Sequence, residues 1–476
     1  MSAFVINAGA LDALRAMDSD SFDALLCDPP YGLGNKQPTV EDLIAYLSGA
    51  ELDTGGDFMG KEWHVPSVAI WREAFRVLKP GAPLLAFAGS RTLDLVTIGI
   101  RAAGFECRDT LAYLYASGFP KSQNVSKAID AANGDERPVV GEGPFASRRV
   151  QANGGKTTGA FAHDGHELTS AASAASAASA AWDGYGSALK PAFEPIILAR
   201  KPLAGTMVEN VTAYGCGPLA IDASRIGTTD KIAPFGSPKQ SSGGIMNGND
   251  VDRDAFVQDA HGRWPANVIL DEAAGAALDA QAGERPSGAS ITRNGGGGRI
   301  FGVAKGETKP DGGYSDSGGA SRFFFCAKTS TAERELGCEG LALKSAGEMT
   351  DRGEDEVALD SPRTGAGRGG GARNHHPTLK PIALTRYLAR LVLPPARSTP
   401  RRILVPFSGA GSEMIGALLA GWDDVTGIEK EFDYVQIARA RLKVAMENPR
   451  AFDPDVRATK EAANARQPSL FGKVGT

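Results

Sequence analysis

Residues 22–31 read Phe-Asp-Ala-Leu-Leu-Cys-Asp-Pro-Pro-Tyr, a mostly apolar run that stops on a carboxylate, two prolines and an aromatic ring. Residues 22–27 predict a short buried strand, so Asp28-Pro29-Pro30-Tyr31 falls at its carboxyl end, where α/β proteins gather their ligands. Taken alone, the tetrapeptide reads equally well as a rigid proline turn. Its surroundings set the class. Upstream, FVIN at 4–7 predicts a strand, and Leu11, Leu14 and Met17 repeat at helical spacing. Downstream, Ile70, Trp71, Ala74, Phe75 and Leu78 mark a helix between Val68 and Leu78 that Lys79-Pro80-Gly81 ends. A strand at 83–88, a helix near 91–103 and an alternating strand at 105–115 follow. This order predicts a parallel α/β sheet.

Regular structure resumes after Pro381, with a helix through Leu384, Leu388 and Leu391, strands at 402–407 and 424–429, and helices at 412–420 and 431–444. Between the first of these strands and its helix lies Phe407-Ser408-Gly409-Ala410-Gly411-Ser412. Glycines in such a turn let backbone amides approach a ligand. The run lacks the Lys-Ser/Thr of a phosphate-cradling P-loop. Glu429 ends the next strand about 20 residues on, where a carboxylate can accept hydrogen bonds from a ribose. The bland alternatives are a common turn and a solvated acid at a strand end.

From about 117 to 374 the periodicity fails. Glycines cluster there, and the Ala-Ser tract at 170–181 reads as a linker because serine at every third position leaves no apolar stripe. Islands of order remain at 193–201, 263–271 and 321–328. Trp182 and Trp264 in this region either stack on a base or anchor a small core, and core packing is the better expectation. The strip 363–380, with Arg363, Arg368, Arg373 and Lys380 and no acid, is the best local surface for nucleic acid, or else a solvated loop. A local surface is needed because the net charge of −5 excludes a general basic coat.

Of the 476 residues, 42% are apolar, enough for a sizeable core. The five cysteines, Cys27, Cys107, Cys216, Cys326 and Cys338, form neither a disulfide framework nor a paired metal motif. His375, His376, Cys326 and Cys338 match no standard zinc spacing, so no metal is expected. With no apolar leader and no run of membrane-spanning length, a soluble, cytoplasmic protein is expected.

Asp28-Pro29-Pro30-Tyr31, followed by HPTLKP (376–381), PFSGAGS (406–412) and GIE (427–429), resembles the beta group of DNA amino-methyltransferases. Further stretches resemble phage and bacterial members: FMGKEW (58–63), RVLKPG (76–81), FAGSRT (87–92), SGFPKSQNVSKAID (117–130), ALKPAFEPI (188–196) and GRWPANVILD (262–271). The resemblance covers roughly residues 4–445. It implies a Rossmann-like methyltransferase fold, circularly permuted in sequence, that uses S-adenosylmethionine to methylate the exocyclic amine of adenine in double-stranded DNA. The cytosine 4-amino group is the near alternative, and an inactive DNA-binding scaffold a more distant one. Methylation at the cytosine 5-carbon is disfavoured, since no cysteine follows a proline.

An aromatic amine attacks a methyl sulfonium poorly until acceptors draw on its hydrogens. Asp28 offers a carboxylate and Pro29 a carbonyl; with Pro30 they form the catalytic turn, and the resemblance implies that Tyr31 stacks on a flipped base. Phe407, Gly409, Gly411, Ser412 and Glu429, with Asp28, are the cofactor candidates. Two departures stand out. Val405 precedes Pro406-Phe407 where the family generally has Asp, and Gly9 follows Asn7-Ala8 where an acid is frequent.

The expected organisation is a catalytic half (1–116), a connection with linker (117–204), a target-recognition region (205–376), a cofactor half (377–446) and a flexible tail (447–476), with the sheet drawn from the first and fourth segments. In the tail, Gln467-Pro468-Ser469-Leu470-Phe471 resembles the short sequence by which bacterial proteins dock on the replication sliding clamp.

Overall fold

The computed structural model describes residues 1–55, 63–118, 122–137, 139–142, 170–172, 174–227, 262–286, 317–328, 331–344 and 371–452. The clamp-like pentapeptide, Arg363, Arg368 and most of FMGKEW lie outside the described residues.

Among the described residues nine strands form one sheet. They are β1 (Ser2–Asn7), β2 (Ala24–Cys27), β3 (Pro83–Phe87), β4 (Glu106–Leu114), β5 (Phe193–Arg200), β6 (Val268–Asp271), β7 (Phe325–Ala327), β8 (Arg402–Pro406) and β9 (Asp424–Glu429). Their order across the sheet is β1-β9-β8-β2-β3-β5-β4-β6-β7. All neighbours are parallel except β5, which runs antiparallel to β3 and β4. The two C-terminal strands thus insert between the first two N-terminal ones, as a permuted α/β order requires.

The expected sheet boundaries need correction, because three strands come from the supposedly irregular centre and one breaks the parallel pattern. The cause is visible in β5, where Ile196, Ile197, Leu198 and Ala199 are buried in succession. A strand apolar on both faces is satisfied inside a sheet rather than at its edge. The Ala-Ser tract also differs from a plain linker. It contains the strand Ser170–Ala172 and a one-turn helix, Ala177–Ala180, capped reciprocally by Ser176 and Ser179. Serine at that spacing supplies caps instead of a stripe. Trp182 and Trp264 are 48% and 64% exposed, so neither anchors a core.

Helices cover both faces of the sheet. On one side pack α1 (Ala10–Arg15), α2 (Val40–Ser48), α3 (Val68–Val77) and α4 (Leu93–Ala102). On the other lie α5 (Ile382–Leu391), α6 (Ser412–Ala420) and α7 (Phe432–Glu447). Strand residues alternate between the two cores: Leu84 and Ala86 face the first, Leu85 and Phe87 the second. No described helix is long and apolar enough to cross a membrane.

One buried carboxylate fastens the two sequence halves. Asp23, fully buried before β2, meets Lys79 and Arg397 at 2.6 Å each and accepts the Arg402 amide at 2.8 Å. Its removal leaves two cations facing each other with a lost amide acceptor. Asp23→Ala is expected to cost about 3 kcal/mol of unfolding free energy in urea titrations, against a smaller loss for Asp23→Asn. Equal stability of Asp23→Ala and wild type would show that the halves are held by packing alone.

Candidate active site

Because β1, β9, β8 and β2 are parallel neighbours, the loops after them open on the same sheet edge. After β8 the chain turns through Phe407 at φ 61°, Gly409 at φ 47° and Gly411 at φ 80°. A non-glycine residue in this left-handed region carries strain, and Phe407 holds it at the cavity lining. A Cβ on Gly409 would come 2.6 Å from His376 Nε2, so the position needs glycine on space as well as conformation.

Glu429 stands at the end of β9. Its Oε2 accepts the Gly409 amide and its Oε1 the Glu431 amide, both at 2.9 Å. Burial raises its pKa, and these backbone donors partly offset the rise. The expected ribose acceptor therefore also clamps the glycine turn to the neighbouring strand, and it lines the cavity.

Asp28 lies at the carboxyl end of β2. The Tyr31 hydroxyl donates to its Oδ1 at 2.6 Å, and Lys380 Nζ lies 3.2 Å from Oδ2. Lys380 also donates to the Tyr31 hydroxyl at 2.9 Å and to Glu194 Oε2 at 3.0 Å, and stands 4.8 Å from the Phe87 ring centre. Burial opposes the ammonium charge, yet Asp28, Tyr31 and Glu194 together hold the Lys380 pKa well above its ordinary value. Burial and then the Asp28 charge push the Tyr31 phenol up, so it stays a donor. The Thr92 hydroxyl, donating to the Tyr31 carbonyl at 2.6 Å, fixes the backbone of the turn.

Asp28, Tyr31, Glu194, Lys380 and Glu429 line a cavity of about 500 Å³. It brings together Asp28, Pro29, Pro30, Tyr31, Phe407, Gly409, Ser412 and Glu429, each anticipated from the sequence. Gly411 is not in the lining. Its left-handed turn starts α6 and sets it against Ala438, behind the cavity wall. The strip reading is corrected at Lys380, which is only 7% exposed and sits in the site, not on a surface open to phosphates. Val405 is wholly buried in the apolar core, while Gly9 lines the cavity with Asp12 close by.

Three participants were not singled out as site residues: Lys380, Glu194 and Glu413. The first two lie inside quoted motifs, HPTLKP and ALKPAFEPI, which was the available signal. Glu413 gave none. His376 lines the cavity and is held uncharged, burial lowering its pKa to about 4. Among the described residues no group of three His, Cys, Asp or Glu side chains is placed to hold a metal ion.

No family model matches the sequence. The Type II methyltransferase M.HpaI of Haemophilus parainfluenzae is 25% identical over 131 residues, which are 27% of this chain and 37% of that protein. The chain thus matches little more than a third of that relative's length. Among solved structures, the PvuII DNA methyltransferase, described as cytosine-N4-specific, is 10% identical with a TM-score of 0.36, over 95% of this chain and 94% of that one. The Thermus thermophilus protein TTHA0409, complexed with S-adenosyl-L-methionine, is 13% identical with a TM-score of 0.34, over 94% of each chain. The superpositions are loose at these scores.

Glu413 makes the site's protonation testable. Burial, and then the Asp28 charge, raise its pKa from 4.5 to about 7. The folded chain therefore holds a proton that the unfolded chain releases, so this group's contribution is whole below pH 4.5 and is lost as pH rises through 7. Glu413→Gln is expected to exceed wild type in stability at pH 8 by about 1–3 kcal/mol and to match it near pH 4.5. Urea titrations at the two pH values check this, and a variant weaker than wild type at pH 8 would contradict it.

Proposed function

We propose that the protein is a DNA methyltransferase that moves the methyl group of S-adenosylmethionine to the exocyclic amine of adenine in duplex DNA. The observation that carries this reading is the meeting of Asp28, the Phe407–Ser412 turn and Glu429 at one cavity. The cavity volume lies within the range of small-molecule sites. The M.HpaI relative is named a methyltransferase, which supports methyl transfer and leaves the base open.

Glu429, Phe407, Gly409 and Ser412 would hold the cofactor, which supplies an electrophilic methyl group when bound. The chain's own work is to prepare the nucleophile. Asp28 accepts a hydrogen bond from the target amine, with the Pro29 carbonyl as the second acceptor. This draws lone-pair density back onto nitrogen. Lys380 and the Tyr31 hydroxyl fix the Asp28 carboxylate in place. Because both oxygens already have donors, the incoming amine takes a remaining lone pair or displaces the tyrosine hydroxyl; hydrogen bonds of this kind often tighten only when substrate is present. Tyr31 offers its ring to a base turned out of the duplex, a contact of about 1–3 kcal/mol that offsets much of the flipping cost.

Target reading is assigned to residues 205–376. Its described part shows arginines against aromatic rings: Arg225 lies 5.2 Å from the exposed Trp264 ring, and Arg322 4.4 Å from that of Phe323. Docking on the sliding clamp through Gln467–Phe471 would raise the enzyme's local concentration at new DNA.

Asp28→Asn is expected to lower transfer on the order of 10³-fold, a loss far larger than the accompanying loss of S-adenosylmethionine affinity, since the carboxylate acts mainly in the transition state. Mass spectrometry of nucleosides from DNA exposed to the wild-type protein should show N6-methyladenine. N4-methylcytosine would transfer the reading to cytosine, and the absence of both from DNA treated with cofactor-binding protein would refute it.

A further inference from the structure

Glu413 is the second residue of α6, only 4% exposed, and it lines the cavity. Its carboxyl makes no hydrogen bond to another described residue; the one backbone amide it faces is its own. The charged and titratable groups around it are committed elsewhere or are themselves acidic. From β2 and the turn after it come Cys27 and Asp28. From the segment before α5 comes Lys380, which serves Asp28, Glu194 and Tyr31. From α7 comes Arg441, which donates to the Ala410 carbonyl at 2.5 Å and to the Ser412 hydroxyl at 3.3 Å.

A buried carboxyl without a partner is costly unless something completes it. Its place in the first turn of a helix would explain a carboxylate bonded to first-turn amides, but this one reaches no other residue's amide. The cavity lining as a whole carries seven carboxyl residues against two lysines, Lys380 and Lys430. Such a field favours a cation and opposes a phosphate. The expected acid at 405 is a valine sealed in the core, so position 405 offers the cavity no carboxylate.

We infer that Glu413 is the anionic seat for the positively charged amino-acid half of the cofactor. The inference rests on the methyl-transfer reading above and adds to it a residue outside the resembling motif. The seat is filled when the ligand's ammonium or sulfonium approaches the carboxylate, and the ligand cation then holds Glu413 ionised.

Calorimetry on the full chain separates the possibilities with three ligands: S-adenosylmethionine carries both cations, S-adenosylhomocysteine only the ammonium, and 5′-methylthioadenosine neither. At pH 8, Glu413→Gln is expected to weaken S-adenosylmethionine about tenfold or more and to leave methylthioadenosine within about twofold. A parallel loss for S-adenosylhomocysteine identifies the ammonium as the seated group, and retention of its affinity identifies the sulfonium. With the wild-type protein, independent of any variant, S-adenosylmethionine should bind more weakly at pH 6 than at pH 8 while methylthioadenosine does not change. Unchanged S-adenosylmethionine affinity in the variant, or an equal loss for all three ligands, would overturn the seat and leave the methyl-transfer reading standing. A wild-type protein that binds none of the three would overturn that reading and the seat with it.

Discussion

A buried lysine imposes the strictest demand on this molecule. Lys380 leaves water, and its ammonium is tolerable only because Asp28, Glu194 and the Tyr31 hydroxyl surround it. Those partners come from distant parts of the chain: Asp28 and Tyr31 from the turn after β2, and Glu194 from the start of β5. Lys380 itself precedes α5. The cluster therefore exists only when the C-terminal strands have inserted beside β2 and the strand from the centre has joined β3. Folding and site assembly become one event. The glycine turn has the same dependence, since Glu429 on β9 must reach the Gly409 amide to hold it.

The interleaved order of strands explains why such a site needs the whole sheet. Two adjacent parallel strands, β8 and β2, end side by side, so one loop can present backbone amides while its neighbour presents a carboxylate. Phe407 stays in its left-handed conformation because Pro406 ends a paired strand and the Ser408 amide bonds to the Ile428 carbonyl at 2.8 Å. The strain is thus fixed by the flanking ladder rather than by the loop.

Much of this was legible in the sequence where the signals were local. The helix Ser412–Ala420 and the strand Asp424–Glu429 appear at the bounds their glycines and apolar runs indicate. Asp28 and Glu429 announced themselves by ending strands. What could not be read was pairing at a distance: residues 193–201 looked like an isolated apolar stretch because nothing local says that β3 and β4 will enclose it. Lys380 misled for a related reason. In a strip of arginines and glycines its charge looks solvated, and only the fold brings the acids that bury it. Glu413 was silent because an acid in a helix's first turn is ordinary, and its lack of a partner is a property of three dimensions.

The charge pattern bears on how one protein could handle both a cation and a polyanion. The cavity is strongly acidic, and the chain's net charge is −5. A nucleic-acid backbone would be repelled from such a pocket, whereas an uncharged base would not, so the acids would admit the target and turn away its phosphates. On the proposed reading, attraction for the backbone would lie outside the cavity. The arginine and aromatic pairs around Trp264 and Phe323 stand beyond the active-site strands, next to β6 and β7 at the far end of the sheet. This separation gives a physical reason for the long central segment to supply strands to the sheet: it sets arginine and aromatic pairs on the same frame as the acidic cavity.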